Sequence, residues 1–312
     1  MHAFQAGLSI QGQERIETLI SHAFMREVVR KVDNTIIPLN DVGRGPPLYC
    51  VHPIGGGAAE FRDKARMLGP HGKFYAIQVP TDKRRAEFAG SIEEIGKFYV
   101  DELVNFQPEG GFVLGGYSTG AAIALEMSQQ LIARDRKVSL LVVFDGELFN
   151  TGAEISARNP RYWFELLLNV PRWIIDEQPI RNRRKLASKA GARLQSAILG
   201  TLKKGAPAIH AVERYVNFDG FLPDHVAFIK ALYDAHLGYV PRHYPGRVLV
   251  FAAKTQPLFY LQQVKAAWAK IAPSSEFVDI NGTHVSIMKM PHGLPIAERL
   301  RREIGQMEEL AD

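Results

Sequence analysis

Three residue types, far apart in a chain of 312 residues, have the chemistry to cleave an acyl bond together. They are a serine between glycines, a histidine in a short polar loop, and a carboxylate at the end of an apolar run. The serine is Ser118 in "FVLGGYSTGAAIALEM" (112 to 127), where Gly116-Tyr117-Ser118-Thr119-Gly120 fits the pattern G-x-S-x-G. This pattern holds a serine on a tight strand-to-helix turn with its oxygen projecting above a sheet, and the flanking glycines allow strand and helix to approach closely. The bare pattern is weak; its position where a buried run becomes an alanine-rich helical one gives it weight. A serine hydroxyl attacks poorly until a base removes its proton, and the base in turn needs an orienting group.

Ten histidines compete as the base. His284 in "FVDINGTHVSIM" follows the last strand-like run within a short Asn-Gly-Thr loop, which matches the chain order serine, acid, histidine. His52 lies in an early loop, His225, His236 and His243 in or beside an irregular middle segment, and His292 beside Pro291 in a turn. For the acid, the run "RVLVFAA" is followed by Lys254-Thr255-Gln256-Pro257, with no carboxylate, whereas "SLLVVFDGE" ends directly on Asp145. Asp145 is the better orienter, with Glu147 as its nearby rival. An oxyanion needs hydrogen-bond donors, one expected from the backbone N–H of Thr119, the residue after the serine. The other is expected from Ile54 in the glycine-rich loop "CVHPIGGGAAEF", because Pro53 has no N–H to give. A phosphate-cradling reading of that loop is weakened because no Gly-Lys-Ser/Thr follows it.

These groups need a scaffold. Apolar runs at 35–39, 47–51, 73–79, 111–117, 139–144, 247–253 and 276–280 predict strands, several without polar alternation, as strands covered on both faces should be. Helical patterns at 58–68, 91–106, 119–135, 257–271 and 295–310 lie between them, the second opened by a Ser91/Glu94 capping box. The alternation predicts a mostly parallel central sheet flanked by helices. It breaks at about 151–235, which reads as a helical insertion leaving the C-terminal edge of a strand, where it could serve as a lid. The expected organisation is a core of 35–150 and 236–312, the lid insertion 151–235, and an extension, 1–34, whose role the sequence does not disclose.

Composition narrows the function classes. At 46% hydrophobic and 23% charged residues, the chain reads as an ordinary globular protein. No stretch approaches the roughly 20 apolar residues of a membrane span, and the N-terminus lacks a signal-peptide pattern, so a cytoplasmic protein is expected. The single Cys50 lies in an apolar run and is a poor nucleophile. The net charge of +5 is the sum of +7 within residues 151–210 and −2 elsewhere. A local excess of this kind does not suit nucleic-acid binding over a broad surface. In "RNRRKLASKAGARLQSAILGTLKK" the apolar residues recur near helical spacing and leave Arg183, Arg184 and Lys185 on a basic face. That face reads as simply solvated, as a dock for an acidic partner, or as a contact for an anionic membrane.

Together these segments resemble the type I thioesterase domains that end nonribosomal peptide and polyketide assembly lines. The likeness runs over about residues 35–310 and includes "IIPLNDVGRGPPLYCVHPIGGG", "GGYSTG", "LLVVFDGE", "YPGRVLVFAAK", the Trp-bearing "VKAAWAKIAP" and "INGTHVSIM". The order His52-Pro53-Ile54-Gly55 looks more like the chain-releasing type than like stand-alone editing thioesterases. The resemblance implies an α/β-hydrolase fold with Ser118 as nucleophile, His284 as base, Asp145 as its partner, and Ile54 and Thr119 as oxyanion donors. It implies a substrate carried on the phosphopantetheine of an acyl or peptidyl carrier protein, with no metal and no cofactor of the enzyme's own. Arg183, Arg184 and Lys185 are then candidates for carrier docking, and membrane contact is not expected. Nothing upstream of residue 35 offers a serine in the Asp-Ser-Leu setting of a carrier domain. The chain is thus expected to be an excised domain or a discrete enzyme meeting its carrier in trans. An esterase or lipase-like hydrolase of oxygen esters and a catalytically inactive hydrolase-fold binding module remain as other readings.

Overall fold

The computed structural model describes residues 35–43, 45–80, 90–153, 159–177, 212, 218, 221–256 and 263–309. Seven strands form one sheet in the order β1-β3-β2-β4-β5-β6-β7. They are β1 Ile36–Asn40, β2 Leu48–Val51, β3 Phe74–Ile77, β4 Phe112–Tyr117, β5 Val138–Phe144, β6 Val248–Thr255 and β7 Ser275–Thr283. Only β1 pairs antiparallel, on β3; every other neighbour is parallel. Among the described residues, the α-helices are α1 Arg62–Leu68, α2 Ile92–Phe106, α3 Gly120–Ile132, α4 Pro160–Glu177, α5 Pro223–Gly238, α6 Val264–Ile271 and α7 Leu294–Glu309. This is the mostly parallel, helix-flanked sheet that the alternating pattern predicts.

The central strands are apolar without interruption because both faces are covered. All six residues of β4 are buried. Successive side chains then divide between two cores by the strand period of two. Tyr49, Val51, Phe112, Leu114, Leu141 and Val143 join α2, α3 and α6 on one face. Leu48, Cys50, Val113, Leu140, Val142 and Phe144 join α1 and α7 on the other. Cys50 is thus an ordinary buried thiol, its ionisation pushed well up by burial. The Ser91/Glu94 capping box opens α2 as expected, Ser91 Oγ accepting from the Glu94 N–H and the Glu94 carboxylate from the Ser91 N–H.

The register aligns the strand ends that carry the candidate residues. Tyr117 pairs with Phe144, and Phe144 with Phe251. Ser118 N–H continues the ladder to Phe144 O at 3.1 Å, and Asp145 N–H to Phe251 O at 2.8 Å. Both residues therefore leave the sheet at its C-terminal edge, on adjacent strands. Among the described residues, helices α4 and α5 lie between β5 and β6, and α5 runs on to Gly238. The return to the core is fixed on α3, where buried Glu126 accepts from Tyr239 Oη at 3.0 Å and pairs with Arg242 at 3.4 Å. Among the described residues, no helix is long and apolar enough to cross a membrane. The extension 1–34 and most of 178–217, with Arg183, Arg184 and Lys185, lie outside the described residues.

Two buried histidines anchor loops at this edge. His52 is held between Pro53 O and Tyr99 Oη, and His236 Nε2 donates to Glu147 O at 3.1 Å. Burial pushes both imidazoles down from an ordinary value near 6.5 to about 4. Their protonation in the unfolded chain begins near pH 6.5, but in the folded chain only near pH 4. Stability is therefore intact above that window and falls as pH is lowered through it, each histidine losing about 2 kcal/mol between pH 7 and pH 5. His236→Gln keeps a donor for Glu147 O, so urea unfolding of this variant should show a shallower loss over that range. Identical pH dependence in variant and parent would contradict a buried neutral His236.

Candidate active site

Ser118 stands between β4 and α3 with φ of +56°, a left-handed conformation that side chains other than glycine adopt at a cost. The turn persists because its neighbours leave no other path. A Cβ on Gly116 would overlap the Gly120 carbonyl, and one on Gly120 would overlap the carbonyls of Val51 and His52. The two glycines of the motif thus let strand, turn and helix occupy the same narrow space. Thr119 is buried, and Ser118 is partly exposed.

Asp145 also adopts a positive φ, +47°, at the end of β5. Its carboxylate has no exposed surface. One oxygen, Oδ1, accepts from the Ala253 N–H of β6 at 2.8 Å, and the other, Oδ2, accepts from His284 Nδ1 at 2.8 Å. The next residue is held too: Gly146 O accepts from the buried Trp268 indole at 2.7 Å. This gives a physical role to the tryptophan of "VKAAWAKIAP". Glu147, the rival acid, lies two residues on with its carbonyl engaged by His236. His284 thus pairs with Asp145.

His284 follows β7 and reaches back across β6 to do so. Tyr117 holds it from below. The phenol ring stacks on the imidazole with centroids 4.9 Å apart and planes at 26°, and Tyr117 Oη donates to the His284 carbonyl at 3.0 Å. Burial, with the carboxylates of Glu60 and Asp145 nearby, raises the phenol far above its ordinary value, so it remains a neutral donor. Because Tyr117 immediately precedes Ser118, this contact brings the serine turn and the histidine loop together. Among the described residues, Ser118 Oγ makes no hydrogen bond to His284. Such bonds commonly tighten only when substrate is present. The role of Tyr117 was not visible in the sequence, where it fills a variable position of G-x-S-x-G; its one signal is an aromatic residue beside the serine.

Among the rival histidines, His52, His225, His236 and His292 are occupied elsewhere. His292 Nδ1 donates to Asn281 O at 2.7 Å, and His225 Nε2 to Gly55 O at 3.0 Å. His52 is fully buried; a carbonyl can only accept, so its Nδ1 carries hydrogen toward Pro53 O at 2.6 Å and its Nε2 accepts from Tyr99 Oη at 2.7 Å. Ile54 and Gly55 are the central residues of a turn closed by Gly56 N–H to Pro53 O at 2.9 Å. Neither this bond nor those of His52 and His225 uses the Ile54 N–H. Among the described residues, no group of three or more metal-ligating side chains occurs.

Residues 46–159 match the family model of the thioesterase domain. Enterobactin synthase component F of Escherichia coli (strain K12) is 34% identical over 111 residues, 36% of this chain and 8% of that protein. Nonribosomal peptide synthetase ucdA of Aspergillus ustus is 27% identical over 320 residues, 96% of this chain and 33% of that protein. The chain therefore spans a third or less of these much larger relatives. Among solved structures, the NocB thioesterase domain from the nocardicin cluster superposes with a TM-score of 0.55 at 22% identity, covering 87% of this chain and 99% of that one. That likeness adds the fold to the family match. The resemblance carried by "GGYSTG" and "LLVVFDGE" falls within the matched residues: the chain is similar there to the thioesterase domain, its matches include nonribosomal peptide and polyketide synthases, and it has the α/β-hydrolase fold of the solved thioesterase domains.

Proposed function

We propose that the chain is a serine thioesterase that releases an acyl or peptidyl chain from the phosphopantetheine arm of a carrier protein. The observation that carries this reading is the 2.8 Å bond from His284 Nδ1 to a carboxylate with no exposed surface, at the sheet edge where Ser118 turns out of β4. Asp145 holds the hydrogen on Nδ1 and leaves Nε2 free to accept a proton. On substrate binding, Ser118 Oγ attacks the thioester carbon as Nε2 takes its proton. The oxyanion forms against the N–H groups of Thr119 and Ile54. Collapse breaks the carbon–sulfur bond, the sulfur leaves with the proton held by His284, and an acyl-serine remains. Water, or a hydroxyl or amine of the same chain, then attacks with His284 again as base, releasing a free acid or a ring. No step calls on a metal or an organic cofactor. The relatives are segments of multidomain synthases, which supports a carrier as the partner.

Ser118→Ala should abolish turnover. Intact-mass spectrometry after incubation with a loaded carrier should find the acyl group on Ser118 and none on the variant. Wild-type thioester cleavage by Ser118→Ala would refute the assignment, and faster turnover of oxygen esters than of matched thioesters would favour the esterase reading.

Asp145→Asn makes a sharper prediction. The Ala253 N–H can only donate, so it fixes the asparagine oxygen at the Oδ1 position and turns the NH2 toward His284. The imidazole must then accept at Nδ1 and carry its hydrogen on Nε2, where it can no longer take the serine proton. A fall in kcat on the order of a thousandfold or more is expected with the fold intact. Activity within tenfold of the parent would contradict the orienting role.

Tyr117→Phe keeps the stacked ring but removes the bond to the His284 carbonyl. A loss of about 1 kcal/mol, roughly fivefold in kcat, is expected with KM unchanged. Unchanged kcat in Tyr117→Phe would show that the hydrogen bond contributes nothing to placing the imidazole.

A further inference from the structure

The turn proposed to supply an oxyanion donor is held from two sides. On the sheet side, Pro53 O accepts from the Gly56 N–H and from His52 Nδ1, while Gly56 O accepts from the Val79 N–H at 3.0 Å. His52 is itself braced by Tyr99 of α2. On the other side, Gly55 O accepts from His225 Nε2 at 3.0 Å, and His225 belongs to α5, inside the insertion. A carbonyl cannot donate, so Nε2 of His225 must carry the hydrogen.

The surroundings fix the direction of that bond. The His225 ring sits between Phe221 and Phe228, with centroids 5.2 Å and 6.2 Å away. Phe228 packs against Gly56, whose φ of +79° and lack of a side chain admit its ring. Ile54 packs against a small cluster of Val212, Ile229 and Tyr233, all from the segment between β5 and β6. The insertion therefore grips the turn by a peptide carbonyl and by an apolar side chain at once.

We propose that His225 is a positioning residue: through the Gly55 carbonyl it sets the orientation of the Pro53–Gly56 turn, and so of the Ile54 N–H. The inference rests on the thioesterase reading given above. It assigns the insertion a part in stabilising the transition state. Oxyanion donors act only when they are held in place before charge develops, and a small tilt of one peptide plane is enough to lose the benefit.

Two substitutions separate positioning from mere attachment. His225→Phe keeps an aromatic ring between Phe221 and Phe228 but has no donor; His225→Gln keeps a donor nitrogen. With a small acyl thioester as substrate, His225→Phe should lower kcat by tenfold or more while KM and Tm stay near the parent values. Its affinity for an alkyl boronic acid, which mimics the tetrahedral adduct on the serine, should fall by the same factor. His225→Gln should recover kcat to within about threefold of the parent. Parental kcat and boronate affinity in His225→Phe would overturn the proposal. So would equal loss of kcat in both variants accompanied by a drop in Tm, the pattern of a purely structural tie. Ser118→Ala, assayed alongside, keeps the two ideas apart. If it is inactive while His225→Phe behaves like the parent, only the positioning role falls; if it is active, the catalytic reading beneath it falls as well.

Discussion

A carboxylate with no exposed surface must have its charge met by the protein, and Asp145 is met by one backbone N–H and one imidazole. Burial of an unpaired carboxylate would carry a penalty of several kcal/mol. His284 is consequently held in one place and one tautomer, although 139 residues separate it from its partner in the chain. The arrangement depends on the sheet. Ala253 belongs to β6, Asp145 ends β5, and the loop carrying His284 leaves β7, so the parallel registers of three strands must agree for the two bonds to form together. The same registers bring Ser118 out of β4 beside Asp145.

Strain and clamping accompany each other at this edge. Ser118 and Asp145 both carry positive φ, which each could relieve if its turn were free to move. The Ser118 turn is confined by glycines already in contact with backbone, and the Asp145 turn is pinned by the Trp268 indole on Gly146. Tyr117 joins the two regions by stacking on the imidazole from the residue before the serine. Each support comes from a different element, and this is how an arrangement assembled from separate loops keeps its shape.

Much of this was legible in the sequence because it is encoded locally. Gly116, Ser118 and Gly120 announce a tight strand-to-helix turn by spacing alone, Ser91 and Glu94 announce the start of α2, and unbroken apolar runs announce strands covered on both faces. The carboxylate could be placed because the strand before the insertion ends on Asp145 and the strand after it ends without an acid. The contacts that were not legible join distant elements. Nothing in the spacing says that the Tyr117 ring lies against His284, that Trp268 reaches Gly146, or that His225 reaches Gly55. Those pairings depend on how α5, α6 and the β7 loop settle on the sheet, a matter of packing that periodicity does not encode.

The central claim is that buried Asp145 fixes the proton of His284 on Nδ1. Nitrogen-15 NMR of the folded protein, labelled at histidine and recorded at mildly alkaline pH, reads this directly. The account predicts a protonated Nδ1 and an unprotonated Nε2 for His284, assigned by its loss in His284→Gln. A His284 that carries its hydrogen on Nε2, or that exchanges between both tautomers, would contradict it.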